Sequence, residues 1–238
     1  MIHRFAVVGS TQDLAHELAE RGAPVGTVVV GGHQRKGRGT RGRAWDSGPG
    51  GLWLSLILRP PARTTEALSV RIGLELAEAL SEQVTPERVD LKWPNDLIAR
   101  DRKLGGILVE ARWSGPEPTW VVVGVGLNVS NETRDALADT AIRLADLTPK
   151  PVLASVESVV LDAVGRAAAC GGPLSPAELA RFARHDWLRG RAVAAPVAGV
   201  ASGLSEDGRL LVTGPDGETR AVADPVSVVG LAAAAGGA

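Results

Sequence analysis

The chain has 238 residues, one cysteine (Cys170) and no tyrosine. A lone cysteine excludes an intrachain disulfide and any multi-cysteine metal site. Long apolar runs are missing too. Nothing approaches the ~20 consecutive residues of a membrane span, and the opening MIHRFAVVGS has no signal-peptide layout. A soluble cytoplasmic protein that uses no membrane is the expectation. Net charge is nearly absent, at −1, which argues against nucleic-acid or membrane binding driven by overall positive charge. Aromatic residues make up 3%, with two Phe, too few for the stacking platforms of an RNA-binding surface. Lysine is scarce as well. Of 26 basic residues only Lys36, Lys92, Lys103 and Lys150 are lysine, so each marks a place where arginine has not been used.

What remains is an ordinary globular composition, 45% hydrophobic and 22% charged, at a length suited to one or two domains. FAVVG (5–9) reads as a short buried strand and VGTVVV (25–30) as a second. Between them STQDLAHELAERG (10–22) has helix signals in order: Ser10 and Asp13 at capping-box spacing, Leu14 and Leu18 on one stripe, Gly22 at the end. A Gly/Arg loop runs to about Gly51, and GLWLSLILRP (51–60) returns as a strand. Leu68, Ile72, Leu76 and Leu80 give a helical spacing over 65–82. VDLKW (89–93), LIA (97–99), GGILVEARW (105–113) and TWVVVGVGLNV (119–129) read as strands, and 154–169 and 176–188 as helices. From near residue 190, five short strands separated by SEDG and GPDG turns read as a small all-β module. The tail LAAAAGGA reads as frayed.

Four segments carry chemistry. Residues 35–43 hold Arg35, Lys36, Arg38, Arg41 and Arg43 with no acid, so the rest of the chain sums to −6. Gly37, Gly39 and Gly42 alternate with them. Glycine lets backbone N–H groups approach a ligand closely, and arginine supplies forked donors for phosphate or carboxylate. The same composition also suits a solvated loop or an RGG-like segment. LKWPNDL (91–97) presents Lys92, Asn95 and Asp96 at a strand end. Lys103 precedes a Gly-Gly entry into an apolar strand, within reach of a ligand on the sheet or as a charge that discourages edge pairing. In VVVGVGLNV, Gly124 and Gly126 suggest close approach, and the Asn128 amide suits a purine edge.

Taken in order, Ser10-Thr11 at a helix start, Gln34 through Trp45, GLWLSLILRP, KWPNDL, KLGGILVE and GVGLNV closely resemble the biotin–protein ligase family over about residues 5–130, and more loosely to the C-terminal module. The resemblance implies an α/β (α+β) fold: a mixed sheet flanked by helices, class II synthetase-like, in residues 1–188, then an SH3-like β-barrel in 189–238. It implies that ATP, with Mg²⁺, activates biotin to biotinyl-5′-AMP. The biotin then passes to a lysine on the biotin carboxyl carrier domain of a biotin-dependent carboxylase. By motif position, Ser10, Thr11, Gln12 and Gln34 would bind biotin, with Arg38, Gly39 and Thr40 in a loop closing over it. Arg43, Trp45 and Asn128 would face the adenylate. Lys103, Arg38, Lys92 and Asp96 would carry the catalysis, and no residue is assigned to a resident metal.

Two departures stand out. Thr40 occupies a loop position where many relatives have arginine, so adenylate retention would rest on Arg38, Arg41 or Arg43. ADPVSVVG (223–230) has proline where relatives usually have glycine. Nine residues before Ser10 leave no room for a helix-turn-helix domain, so DNA binding is not expected, while a homodimer stays open. The loop is expected to be disordered without ligand, because three glycines and like charges resist packing. A lipoate or octanoate ligase of the same superfamily and a non-catalytic biotin sensor are the rival readings.

Overall fold

LWLSLIL is apolar almost throughout, and the reason is that both faces of its sheet are covered. The computed structural model describes residues 1–59, 65–115, 117–134 and 137–229. Seven strands form one sheet: β1 (Ile2–Phe5), β2 (Val28–Gly31), β3 (Leu52–Leu58), β4 (Asp90–Lys92), β5 (Asp96–Ala99), β6 (Arg102–Ser114) and β7 (Glu117–Leu127). Their spatial order is β1-β2-β3-β7-β6-β5-β4, with β1 and β2 parallel and every other pair antiparallel. The sheet is therefore mixed, as expected. Helix α1 (Thr11–Glu20) covers one face, where Ala15 packs with Val29, Ile57 and Val122. Helices α2 (Thr65–Gln83), α3 (Leu153–Ala169) and α4 (Pro176–His185) cover the other. There Leu56, Val121 and Val123 meet Leu68, Leu76, Val160 and Phe182 in one cluster. Strand β3 thus sends alternate residues into two different apolar layers.

The helices start and stop where their sequences dictate. Ser10 caps α1 by accepting a bond from the Asp13 amide, and Gly22 follows the helix with φ +84°. The box is only half formed, because the Asp13 side chain turns to Arg38 instead. Ser175 and Glu178 close a complete capping box on α4, with Pro176 in its first turn. The first strand differs from the sequence reading. It spans Ile2–Phe5 rather than 5–9, and Phe5 and Val7 are exposed. Apolar residues there reflect an edge strand, whose outer side has no partner. No helix among the described residues is long and apolar enough to cross a membrane.

Past α4 the chain forms β8 (Ala192–Ala195), β9 (Gly199–Leu204), β10 (Leu210–Thr213), β11 (Thr219–Val222) and β12 (Ser227–Val228). They make one antiparallel sheet in the order β11-β10-β9-β8-β12. The all-β module is present, but the expected barrel closure is not found among the described residues. Strand β12 holds two residues, both used in pairing with β8, and Pro225 before it has no amide hydrogen to share. The LAAAAGGA tail lies outside the described residues. Val193, Leu210 and Val212 join the same apolar cluster as the helices, and Trp93 Nε1 donates to Gly208 O at 2.8 Å.

One buried charge ties these helices together. Arg71 on α2 is 3% exposed and donates to Glu178 Oε1 at 2.6 Å and to the carbonyls of Gly172 and Pro173. Burial pushes the Glu178 carboxyl up, but bonds from Arg71 and Ser175 outweigh it and bring it down to about 2. A carboxylate lowered by folding stabilises the fold above its ordinary value of 4.5, and that contribution is lost as pH falls toward 2. Glu178→Ala should cost about 3–5 kcal/mol at neutral pH, because it leaves a buried guanidinium unpaired. Urea unfolding followed across pH 2–5 should also show a flatter acid limb in the variant than in the wild type.

Candidate active site

A groove opens on the α1 face of the sheet, and it opens because side chains are missing there. Gly106 on β6 and Gly124 and Gly126 on β7 point to this face, register-matched to one another and to Trp53 and Ser55 on β3. The ten-residue α1 covers only one end of that face. Over the other end lies the basic loop. Trp45 from the loop rests on the glycine floor, and a Cβ on Gly126 would sit 2.8 Å from Trp45 Nε1. Trp45 meets Trp53 edge-on, with ring centroids 6.5 Å apart. Its Nε1 is buried without a hydrogen-bond partner, a donor left free inside the groove.

One end of the groove is a polar network. Thr11 donates from its amide (2.7 Å) and its hydroxyl (3.0 Å) to Gln34 Oε1. Gln34 Nε2 donates to Ser47 Oγ at 2.8 Å. Ser55 Oγ lies 3.0 Å from both Thr11 Oγ1 and Gln12 Oε1, and Gln12 Nε2 donates to Val122 O. Ser10 is buried beside them at the helix start. Ser55 and Ser47 were missed by sequence reasoning. Ser55 left a signal, since it is the one polar residue in LWLSLIL, and a buried hydroxyl needs partners.

The other end is cationic. Lys103 Nζ sits 2.7 Å from Asp96 Oδ1 and 4.9 Å from the centre of the Trp45 ring. Thr40 and Arg43 reach in from the loop, and among the described residues the Arg43 guanidinium bonds only to Thr40. Asn128 is buried with its Oδ1 accepting from Asn131 Nδ2 at 3.2 Å. Asn131, Thr133 and Thr140 extend this wall, and the sequence reading did not include them. Of the thirteen residues expected at the site, twelve line this groove, Gly39 and Arg38 included. Lys92 stands apart. Its Nζ lies 5.3 Å from the Trp187 ring, and it does not line the groove. Burial lowers its ammonium, Asp96 pulls it back up, and Lys103, Arg43 and Arg191 lower it further. Lys92 lies directly across from Asp96 on β4 and β5, on the same face of the sheet, so it adds positive field beside the groove without lining it.

The loop differs from the expected disorder. Arg38 and Ala44 form an antiparallel bridge, Lys36 N donates to Gly9 O, and residues Thr40–Gly42 make one tight turn with Arg41 at φ 59°. Arg38 bonds to Asp13 and Glu110, and Arg41 to Asp224 in the bend between β11 and β12. Opposite charges from distant parts of the chain offset the repulsion that the local composition implied.

The comparisons agree with this geometry. The model of the biotin/lipoate A/B protein ligase family matches residues 5–128. A biotin–[acetyl-CoA-carboxylase] ligase of Paracoccus denitrificans is 32% identical over 212 residues, covering 79% of this chain and 85% of that protein. The chain belongs to the biotin/lipoate A/B protein ligase family. The bifunctional ligase/repressor BirA of Bacillus subtilis is 39% identical over 145 residues. That match takes in 58% of this chain, which spans less than half, 44%, of the relative's length. A solved biotin protein ligase from Aquifex aeolicus, in complex with biotin and ATP, superposes with a TM-score of 0.80 at 28% identity, covering 95% of this chain and 97% of that one.

Gly126→Ala tests the glycine floor. The added methyl should displace Trp45 and destabilise the protein by about 1–3 kcal/mol. In a Trp45→Leu background the same substitution should cost less than about a third of that, since the clash partner is gone. Thermal unfolding of the four proteins of this cycle measures both effects.

Proposed function

We propose that this chain is a biotin–protein ligase, in which residues 1–188 bind and activate biotin and residues 189–238 form an SH3-like accessory module. The observation that carries the reading is the union, in one groove, of a buried polar network at one end and, at the other, Lys103 over the ring of Trp45, whose indole N–H has no partner. Thr11, Gln34, Ser47 and Ser55 alternate donors and acceptors, which suits the ureido ring of biotin better than the alkyl chain of lipoate or octanoate. Ser10 and Gln12 complete that end. Gly39 and Thr40 cover the bound acid, and Arg43, Trp45 and Asn128 receive the adenylate.

In the first half-reaction a biotin carboxylate oxygen attacks the α-phosphorus of ATP, and pyrophosphate leaves with its bridging electrons. Two anions must meet, so their repulsion has to be offset. Lys103 supplies positive charge inside the groove, Asp96 fixes its position, and Lys92 strengthens the field from beside Asp96. The loop and Trp45 exclude water from the mixed anhydride. In the second half-reaction a neutral lysine amine attacks the acyl carbon, AMP leaves, and the amine proton is lost. Asp96 is placed to orient that amine on its approach to the groove.

Among the described residues no group of three or more His, Cys, Asp or Glu side chains forms a metal cage. That suits Mg²⁺ arriving with the triphosphate, which needs one or two carboxylates and water. Asp46 and Asp96 are the carboxylates on the groove wall. The ion would neutralise phosphate charge there. The partner proposed is the biotin carboxyl carrier domain of a biotin-dependent carboxylase, met in the cytoplasm.

Purified protein incubated with biotin, ATP and Mg²⁺, without carrier, should yield biotinyl-AMP and pyrophosphate by mass spectrometry, and lipoate should yield no adenylate. Lys103→Met should lower adenylate formation by about 10²–10³-fold while biotin still binds. Adenylate formation from lipoate in preference to biotin would overturn the substrate assignment.

A further inference from the structure

The loop arginine expected at the phosphate is already engaged. Arg38 Nε donates to Asp13 Oδ1 at 2.9 Å, and its two terminal nitrogens form a fork with Glu110 at 3.0 and 2.9 Å. Bonds to Glu110 and Asp13 outweigh burial and raise its already high value further. A guanidinium held by two carboxylates has little left to offer a phosphate.

Glu110 is itself held. It lies on β6, on the face that carries the groove, opposite Val122 of β7. His16 of α1, 5% exposed, places Nε2 3.3 Å from Glu110 Oε2. The ring orientation is fixed from behind, because Trp120 Nε1 can only donate and does so to His16 Nδ1 at 3.1 Å. Nδ1 is therefore the acceptor and Nε2 carries the hydrogen on the side of the carboxylate, 3.3 Å away but without the alignment of a hydrogen bond. The Glu110 carboxyl is held well below the usual range, first by His16, against burial, and then by Arg38 and Gln12. Two carboxylates, one from α1 and one from β6, thus hold one arginine of the loop, with His16 and Trp120 stacked behind Glu110. None of them was singled out for this from the sequence.

We infer that Glu110, aimed by His16, is a positioning residue: it clamps Arg38 and so holds Gly39, Thr40 and Trp45 closed over the groove. The ligand's anionic end is then met by Lys103 and Arg43, against which Asp96 is the one carboxylate paired among the described residues. The inference rests on the reading of the groove as a site for an acid and its adenylate. The loop needs such an anchor. Its tip carries Arg41 in the left-handed region at φ 59°, a conformation that favours glycine, and its other ion pair, Arg41 with Asp224, is exposed.

The test starts on the ligand-free protein, with trypsin as the probe. Cleavage after Arg41 and Arg43 should be about tenfold faster in Glu110→Gln than in the wild type, as expected when a charge-assisted bond is lost. His16→Asn leaves Glu110 and Arg38 in place and should accelerate cleavage by about threefold. It serves as the second variant if Glu110→Gln folds poorly. A readout beyond stability is the release of biotinyl-AMP, which should be about tenfold faster from Glu110→Gln, and slower again in Glu110→Asp as part of the clamp is restored. Cleavage within about twofold of wild type in both variants would overturn the clamp. Slower release from Glu110→Gln would overturn it too, since that result means Arg38 leaves Glu110 to bind the phosphate. If cleavage responds as expected but no adenylate forms from biotin, the clamp stands and the ligase reading fails.

Discussion

The interaction on which this site depends is the pairing of Arg38 with Glu110 and Asp13. A segment with five positive charges and no acid cannot lie on a sheet unless that charge is met from elsewhere. Glu110 comes from the middle of the long strand β6 and Asp13 from the first turn of α1. Their carboxylates bring the loop back over the groove and fix the direction from which Thr40, Arg43 and Trp45 enter it. The capping box of α1 is left incomplete so that Asp13 is free for this purpose. Local helix stability is exchanged for loop position.

The groove follows from a contrast between the two faces of the sheet. On the face toward α2 and α3 the strands are filled mostly with Leu, Val and Ile. On the opposite face α1 is short, and beyond its end the strands carry Gly106, Gly124 and Gly126. Missing side chains give depth, and the indole of Trp45 occupies part of it. The polar network needs that depth as well, because a Cβ on Gly124 would stand 2.6 Å from Gln12 Oε1. Positive charge then gathers at the end away from α1, where Lys103 and Arg43 face in and the half-buried Lys92 stands beside them. A ligand with a neutral, hydrogen-bonding head and an acidic tail fits that polarity.

Most of the catalytic sheet was legible because its strands are continuous apolar runs and its helices carry caps and a 3.6-residue stripe. The site was legible in its motifs, as twelve residues named from them share the groove. What was not legible depends on contacts across long separations. Nothing in RKGRGTRGR says that acids at positions 13, 110 and 224 will neutralise it, so local composition pointed to disorder. Lys92 sits in the same short motif as Asp96 and directly across from it, yet its ammonium lies against Trp187, a residue 95 positions further along the chain. FAVVG looked like a core strand because an edge strand and a buried one share residue types. The barrel expected at the C-terminus depends on a closing pair of strands, and strand order is a property of the whole module rather than of any segment.

The central claim is that one groove joins a carboxylate to the α-phosphate of ATP and then passes the acyl group to an amine. The direct measurement is a full turnover with biotin labelled by ¹⁸O in both carboxylate oxygens, in the presence of ATP, Mg²⁺ and a biotin carboxyl carrier domain. The account predicts one ¹⁸O in the AMP released and one in the amide of the carrier, because the acyl carbon–oxygen bond breaks in the second step. AMP without label, alongside biotinylated carrier, would contradict it.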